Sequence, residues 1–380
     1  MARTTRRETQ RPHLTAVVED AVLRVLGPFL RRTFGWVPQV EAYTGYGTPE
    51  RVRVLARVVL APRRGPLAPP EPDRRGFRAY LAVPAPQERI VVTVEGVRVD
   101  VVADRAGYVD VEVDLPPGRP LPAGWQRAEL APAADAPAGR PAGPVTTAAL
   151  RVVDDEPTLG VISDIDDTTM VTMVPRLLLA AWNSLVRPAA ARTPVHGMAH
   201  LYARVAAAHP DAPFVYVSTG AWNTARTLRR FLARHGFPPG PLLLTDFGPT
   251  QTGWFRSGPE HKDAEIDRLM ATFPQVTWLL VGDDGQHDPD IYARAAERWP
   301  GRVAAVAIRT LSQAQRVLAV GAGPAGSRTT APPEHLPRAA DGVPTVVAPD
   351  GMALARRLAE VPGVLTAPPQ GRLGEKSRGE

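Results

Sequence analysis

Residues 160–169, Gly-Val-Ile-Ser-Asp-Ile-Asp-Asp-Thr-Thr, set two carboxylates at i, i+2 directly behind the apolar residues Leu159, Val161 and Ile162. An apolar run of this length ending in acidic residues predicts a buried strand that stops at a tight loop. Open α/β sheets gather their ligands at the carboxyl ends of strands, which is where Asp164 and Asp166 would stand. Paired carboxylates there suit a hard cation and in-line attack on phosphorus, one as nucleophile and metal ligand, the other as proton donor. Taken alone, the same segment also fits an acidic surface turn.

Three further segments repeat the arrangement. Phe214-Val215-Tyr216-Val217-Ser218-Thr219-Gly220 is another apolar run, ending in two hydroxyls and a glycine. A hydroxyl hydrogen-bonds a phosphate oxygen without adding charge, and Gly220 permits close backbone approach. Gly258-Pro259-Glu260-His261-Lys262-Asp263 contains one of only two lysines, Lys262 and Lys376, among 45 basic residues. A chain that otherwise uses the planar arginine fork has kept a compact ammonium, which suits a cation held between a carboxylate and a phosphoryl oxygen. Finally, Val276-Thr277-Trp278-Leu279-Leu280-Val281 runs into Gly282-Asp283-Asp284, with Asp288 close behind. Magnesium keeps several of its waters, so one or two direct carboxylates are enough to hold it.

The segment Asp164-Ile165-Asp166-Asp167-Thr168 matches the DxDxT motif of haloacid-dehalogenase-type (HAD) phosphatases, and the four segments follow that superfamily's motif order. The wider wording runs from Tyr43-Thr44-Gly45-Tyr46-Gly47-Thr48 through Trp222-Asn223 and Gly285-Gln286-His287-Asp288-Pro289-Asp290-Ile291-Tyr292 to Arg309. It resembles the actin-patch-associated phosphatidate phosphatase family and its bacterial relatives. The resemblance implies that Asp164 attacks phosphorus through an aspartyl phosphate, while Asp166 protonates the leaving alkoxide and then activates water. It implies that Thr168, Ser218, Thr219 and Lys262 hold the phosphoryl oxygens. Mg²⁺ would be bound by Asp164, the backbone carbonyl of Asp166, Asp283, and one of Asp284 or Asp288. The family usually has a small hydroxyl residue where Asp284 stands, so that last acidic role is open between the two.

The substrate so implied is phosphatidate, cleaved to diacylglycerol and phosphate. Two other readings stand beside it: a phosphatase of the same type acting on a soluble or nucleic-acid phosphomonoester, and a catalytically weak lipid-binding module. Retention of Asp164, Asp166, Lys262 and Asp283 together argues against the module.

These residues need a scaffold. The strand-and-helix alternation from about residue 145 to 366 predicts an α/β catalytic domain, a HAD-like Rossmannoid parallel sheet by resemblance. Before it, residues 35–130 show period-two patterning without intervening helices, including a hairpin of Ile90–Val94 and Val97–Val102 about Glu95-Gly96, and predict a small antiparallel β-sandwich. Pro- and Ala-rich residues 131–144 read as a linker, and 319–343 as a flexible loop. Val346-Val347 and Met352–Leu358 are expected to return one strand and one helix, and 367–380 to form a disordered tail. Residues 1–34 read as a basic tail and a helix whose apolar spacing over 14–33 ends at Arg31-Arg32. That helix either packs on the body or lies on a membrane surface. Residues 175–187 read either as a short cap over the site or as a helix buried against the sheet.

Composition sets limits on function. The 380-residue chain has no cysteine, which excludes disulfides, thiol nucleophiles and thiolate metal sites. No apolar run reaches the roughly 20 residues needed to span a bilayer, and no secretory leader is apparent. The net charge of +6 favours an anionic partner. The expected location is cytoplasmic, with reversible contact at the inner, anionic face of the membrane and no specific nucleic-acid partner.

Overall fold

A computed structural model describes residues 26–62, 83–133, 144–171, 193–245, 258–285, 287–312 and 342–366. The proposed cap at 175–187, the tail at 367–380 and nearly all of the loop at 319–343 lie outside the described residues. So does the N-terminal helix up to residue 25; residues 26–34 are helical (α1).

Nine strands come first: β1 (Val37–Ala42), β2 (Gly45–Gly47), β3 (Arg51–Ala61), β4 (Val83–Pro84), β5 (Arg89–Val94), β6 (Val97–Val102), β7 (Tyr108–Asp114), β8 (Gly124–Pro132) and β9 (Thr146–Val152). They form one hydrogen-bonded network in the order β1-β3-β2-β9-β8-β5-β6, with β4 and β7 joined to β3. Its shared core includes Val52, Val54, Val58, Ile90, Val92, Val111, Leu130 and Leu150. The β5–β6 hairpin forms where its sequence places it, pairing Val94 with Val97. Its turn uses positive φ at both Glu95 (44°) and Gly96 (81°), the combination that two-residue hairpins require.

One boundary differs from expectation. The Pro- and Ala-rich stretch does not separate the two halves of the protein. Strand β9, beyond it, pairs antiparallel with β8 and parallel with β2. The stretch is therefore a connection inside the N-terminal sheet. Composition marks a loop but does not say which sheet the chain rejoins. The alternating burial of Thr146–Val152 is the signature of a strand with one covered face, as in the strands before it.

The second sheet has six strands: β10 (Thr158–Asp164), β11 (Phe214–Ala221), β12 (Leu242–Thr245), β13 (Val276–Asp283), β14 (Val303–Arg309) and β15 (Thr345–Ala348). Helices α2 (Met198–Ala208), α3 (Ala225–Arg234), α4 (Gly258–Thr272), α5 (Asp288–Arg298) and α6 (Gly351–Leu358) lie between and after the strands. Every pairing is parallel, in the order β12-β11-β10-β13-β14-β15. Strands β10, β11 and β13 are buried almost throughout, as parallel strands covered on both faces must be. The chain winds outward from β10 through β11 to β12, then returns to β13 on the other side of β10. The crevice at which such sheets bind ligands thus lies between the ends of β10 and β13. The expected return of β15 and α6 is present.

The two sheets are packed together. Tyr43 and Tyr46 belong to the core of the six-stranded sheet. The Tyr43 ring stacks on Trp222 at 4.4 Å, and Tyr46 lies 5.8 Å from Phe273. The Tyr43–Thr48 segment singled out in the sequence is thus the seam between them. Among the described residues, no helix is long and apolar enough to cross a membrane.

Candidate active site

Asp164 is the last residue of β10 and Asp283 the last of β13, so both carboxylates emerge at the switch point. After Asp164 the chain turns at once. Asp167 takes a positive φ of 57°, a conformation that aspartate tolerates better than most residues. Its N–H donates to the Met170 carbonyl at 2.8 Å, and its own carbonyl accepts from Arg309 Nη1 at 2.5 Å. The Thr169 hydroxyl donates to the Ile165 carbonyl at 3.0 Å. This turn leaves Asp166 only half-buried while Asp164 is 2% exposed.

Lys262, on α4, bridges two carboxylates. Its Nζ lies 2.6 Å from Asp164 Oδ1 and 2.6 Å from Asp288 Oδ1. Asp288 opens α5, and its Oδ2 accepts from the Asp283 N–H at 3.3 Å. Gly282 makes that approach possible, since a Cβ there would meet Asp288 Oδ2 at 2.5 Å. Asp164, Asp283 and Asp288 offer carboxylate oxygens all within 4.8 Å of one another, and all three residues are buried.

The electrostatics follow from three carboxylates sharing one ammonium. Burial, reinforced by Asp288 and Asp166, pushes Asp164 up to about 8 although Lys262 pulls the other way. Burial, with Asp288 and Asp164 beside it, holds Asp283 well above the carboxylate range. Burial alone would strip Lys262 of its proton, but Asp164 and Asp288 outweigh it and hold the ammonium firmly charged. Asp164 Oδ2, Asp283 Oδ2 and Thr168 Oγ1 are buried without a hydrogen-bond partner among the described residues. Buried, unpartnered carboxylate oxygens are costly unless something positive fills the space between them. A donor set of hard oxygens with this excess negative charge fits a small divalent cation.

The remaining expected residues divide. The Ser218 hydroxyl donates to Asp166 Oδ2 at 2.8 Å and accepts from the Gly220 N–H at 2.9 Å, so it serves the second carboxylate directly. Thr168 is fully buried, whereas Thr219 is exposed and its carbonyl accepts from Thr245 Oγ1 at 2.7 Å. Between the two open alternatives, the geometry separates Asp288 from Asp284. Asp288 faces Lys262, whereas Asp284 Oδ1 accepts from the Leu311 N–H at 2.8 Å and ties down the chain after β14.

Three contacts were not read from the sequence. Arg309, paired with Asp283 across β13 and β14, braces the acidic turn through the Asp167 carbonyl. Ser163 bonds the Asp164 carbonyl at 2.6 Å and Tyr202 at 2.5 Å, fixing the Asp164 backbone from behind. Arg53, in the other sheet, forms a buried ion pair with Glu265 of the lysine-bearing helix. A hydroxyl within a strand or an arginine in an alternating strand carries no local signal of such distant partners.

A parallel, doubly wound sheet with a lysine-bridged cluster of buried carboxylates at its switch point defines a protein of the α/β class. Residues 159–310 match the family described as "Phosphatidate phosphatase APP1, catalytic domain". Phosphatidate phosphatase APP1 of Saccharomyces cerevisiae is 29% identical over 155 residues, covering 40% of this chain and 26% of the yeast protein. The match thus spans about a quarter of that relative's length. Two solved structures show weak likeness. A carbohydrate acetylesterase from Xanthomonas citri, 11% identical, covers 72% of this chain and 68% of its own at a TM-score of 0.26. A protein of unknown function from Porphyromonas gingivalis W83, 12% identical, covers 35% and 62% at a TM-score of 0.16. Neither score defines a shared fold.

Proposed function

We propose that this protein is a Mg²⁺-dependent phosphatidate phosphatase that works through an aspartyl phosphate. The observation that carries the chemistry is the meeting of Asp164, Lys262, Asp283 and Asp288 at the ends of β10, β13 and two helices. The choice of phosphatidate rests on the family match over 159–310 and the yeast relative.

Asp164 Oδ2, which has no hydrogen-bond partner among the described residues, is the oxygen available for attack on phosphorus. Lys262 fixes Asp164 through Oδ1 and presents positive charge to the phosphoryl oxygens in a water-poor site. Asp166, half-buried and held by Ser218, protonates the departing diacylglycerol alkoxide and afterwards takes a proton from water. Thr168 and Thr219 supply hydroxyls for the phosphoryl oxygens. Asp164, Asp283 and Asp288 with the Asp166 carbonyl would hold Mg²⁺, which offsets the charge of nucleophile and phosphate.

The protein is further proposed to act from the cytoplasmic side, touching anionic membrane reversibly. The described part of that surface is the end of α1, where Phe29 and Phe34 are exposed beside Arg32. Phosphate release with Mg²⁺ should be measured for phosphatidate in mixed micelles, phosphatidylglycerol phosphate, a phosphorylated oligonucleotide and p-nitrophenyl phosphate. Preference for phosphatidate supports the proposal. Preference for a soluble or nucleic-acid ester overturns its substrate, and no release from any overturns the enzyme.

A further inference from the structure

We infer that the N-terminal sheet takes part in catalysis by positioning Lys262, through the buried pair of Arg53 on β3 and Glu265 on α4. The inference rests on the proposed role of Lys262 and deepens it. Glu265 lies three residues beyond Lys262, on the same face of α4. Arg53 Nη1 meets Glu265 Oε2 at 2.8 Å, and Nη2 reaches Oε1 at 3.4 Å. The opposite edge of the guanidinium grips Asp110 on β7, Nε to Oδ1 at 2.8 Å and Nη2 to Oδ2 at 2.8 Å. Nη1 also donates to the Tyr46 hydroxyl at 2.8 Å. One arginine therefore locks three points of the N-terminal sheet's surface to a single turn of α4.

Burial makes the lock stiff. Arg53 and Glu265 are 7% and 8% exposed, so water cannot replace a lost partner. The planar fork also fixes direction, which a lysine's single ammonium cannot do. Lys262 in turn spans two carboxylates at 2.6 Å each, a geometry with little room for sliding of α4. Other seam contacts, such as Arg226 Nη2 to Glu41 Oε1 at 3.1 Å, join the sheets without touching α4. Arg53 and Glu265 are accordingly positioning residues.

The chain's two lysines permit a direct test. Protein labelled with ¹³Cε-lysine gives one signal from Lys262 and one from Lys376. We expect Arg53→Gln and Glu265→Gln each to shift the Lys262 signal, and to lower kcat on p-nitrophenyl phosphate at least about tenfold with a smaller change in KM. Arg226→Gln should leave both readouts at wild-type values. A loss of melting temperature in Arg53→Gln and Glu265→Gln, with the Lys262 signal and kcat unchanged, would overturn the inference and leave the pair a structural brace. If either variant fails to fold, the other decides. The signal reports on positioning even if p-nitrophenyl phosphate is not turned over, so failure here is distinct from failure of the proposed activity.

Discussion

Lys262 Nζ sits 2.6 Å from Asp164 Oδ1, joining a side chain of helix α4 to the end of the central strand β10. The pair is buried, yet it does not balance its own surroundings, because Asp283 and Asp288 crowd the same space. The proposed roles of Asp164 as nucleophile and of the cluster as a cation site both rest on that imbalance.

Replacing Asp164 by asparagine keeps the shape and removes the nucleophile. Multiple turnover should fall below about one-thousandth of wild type. Without metal the variant should melt no lower than wild type, since one of three mutually repelling carboxylates is gone. Phosphate-release assays and thermal melts check both parts.

Lys262→Arg should not be conservative. A fork cannot meet Asp164 and Asp288 from the position of one ammonium, so either the helix or the carboxylates must shift. A displacement of about 1 Å can cost on the order of a hundredfold in rate, which steady-state kinetics would register.

The two acidic residues after β13 should behave differently. Asp288→Asn should raise the Mg²⁺ concentration for half-maximal activity by on the order of ten- to a hundredfold. Asp284→Ala should leave that concentration near wild type and instead lower the melting temperature, because it loses the bond to the Leu311 N–H. Magnesium titrations and melts of the two variants separate these outcomes.

Much of this site was legible because Asp164 and Asp283 each follow an apolar run, and a strand's end has one place to go in a parallel sheet. The lysine stood out because almost every other basic residue is arginine. Asp284 and Asp288 could not be separated by sequence, since the choice depends on how α5 leaves β13, and Gly282 permits the approach of Asp288 only in three dimensions. The seam was invisible for a different reason: Arg53 sits in an alternating strand that reads as solvated on one face, and its partner Glu265 is 212 residues away. Strand β9 was assigned to the wrong side of a Pro-rich loop because composition locates loops but not pairings.

The stability of the metal-free protein should depend on pH through Asp164. Its folded-state value, about 8, lies above its ordinary 3.8, so the folded protein binds the extra proton in between. That contribution is fully present below about 3.8 and is lost as pH rises through about 8, so stability should fall across this window. Added Mg²⁺ should reverse the trend and raise the melting temperature more at pH 8 than at pH 5. Calorimetry with and without chelator at both values tests the sign; an equal Mg²⁺ effect at the two would contradict it.

The central claim is that Asp164 takes the phosphoryl group from phosphatidate. Protein mixed with Mg²⁺ and phosphatidate carrying ³²P in its headgroup, then quenched in acid within the first turnover, measures this directly. The account predicts label on the peptide containing Asp164, lost on hydroxylamine treatment and absent from Asp164→Asn. Phosphate released without any labelled protein, together with sustained turnover by Asp164→Asn, would contradict it and point to direct attack by water.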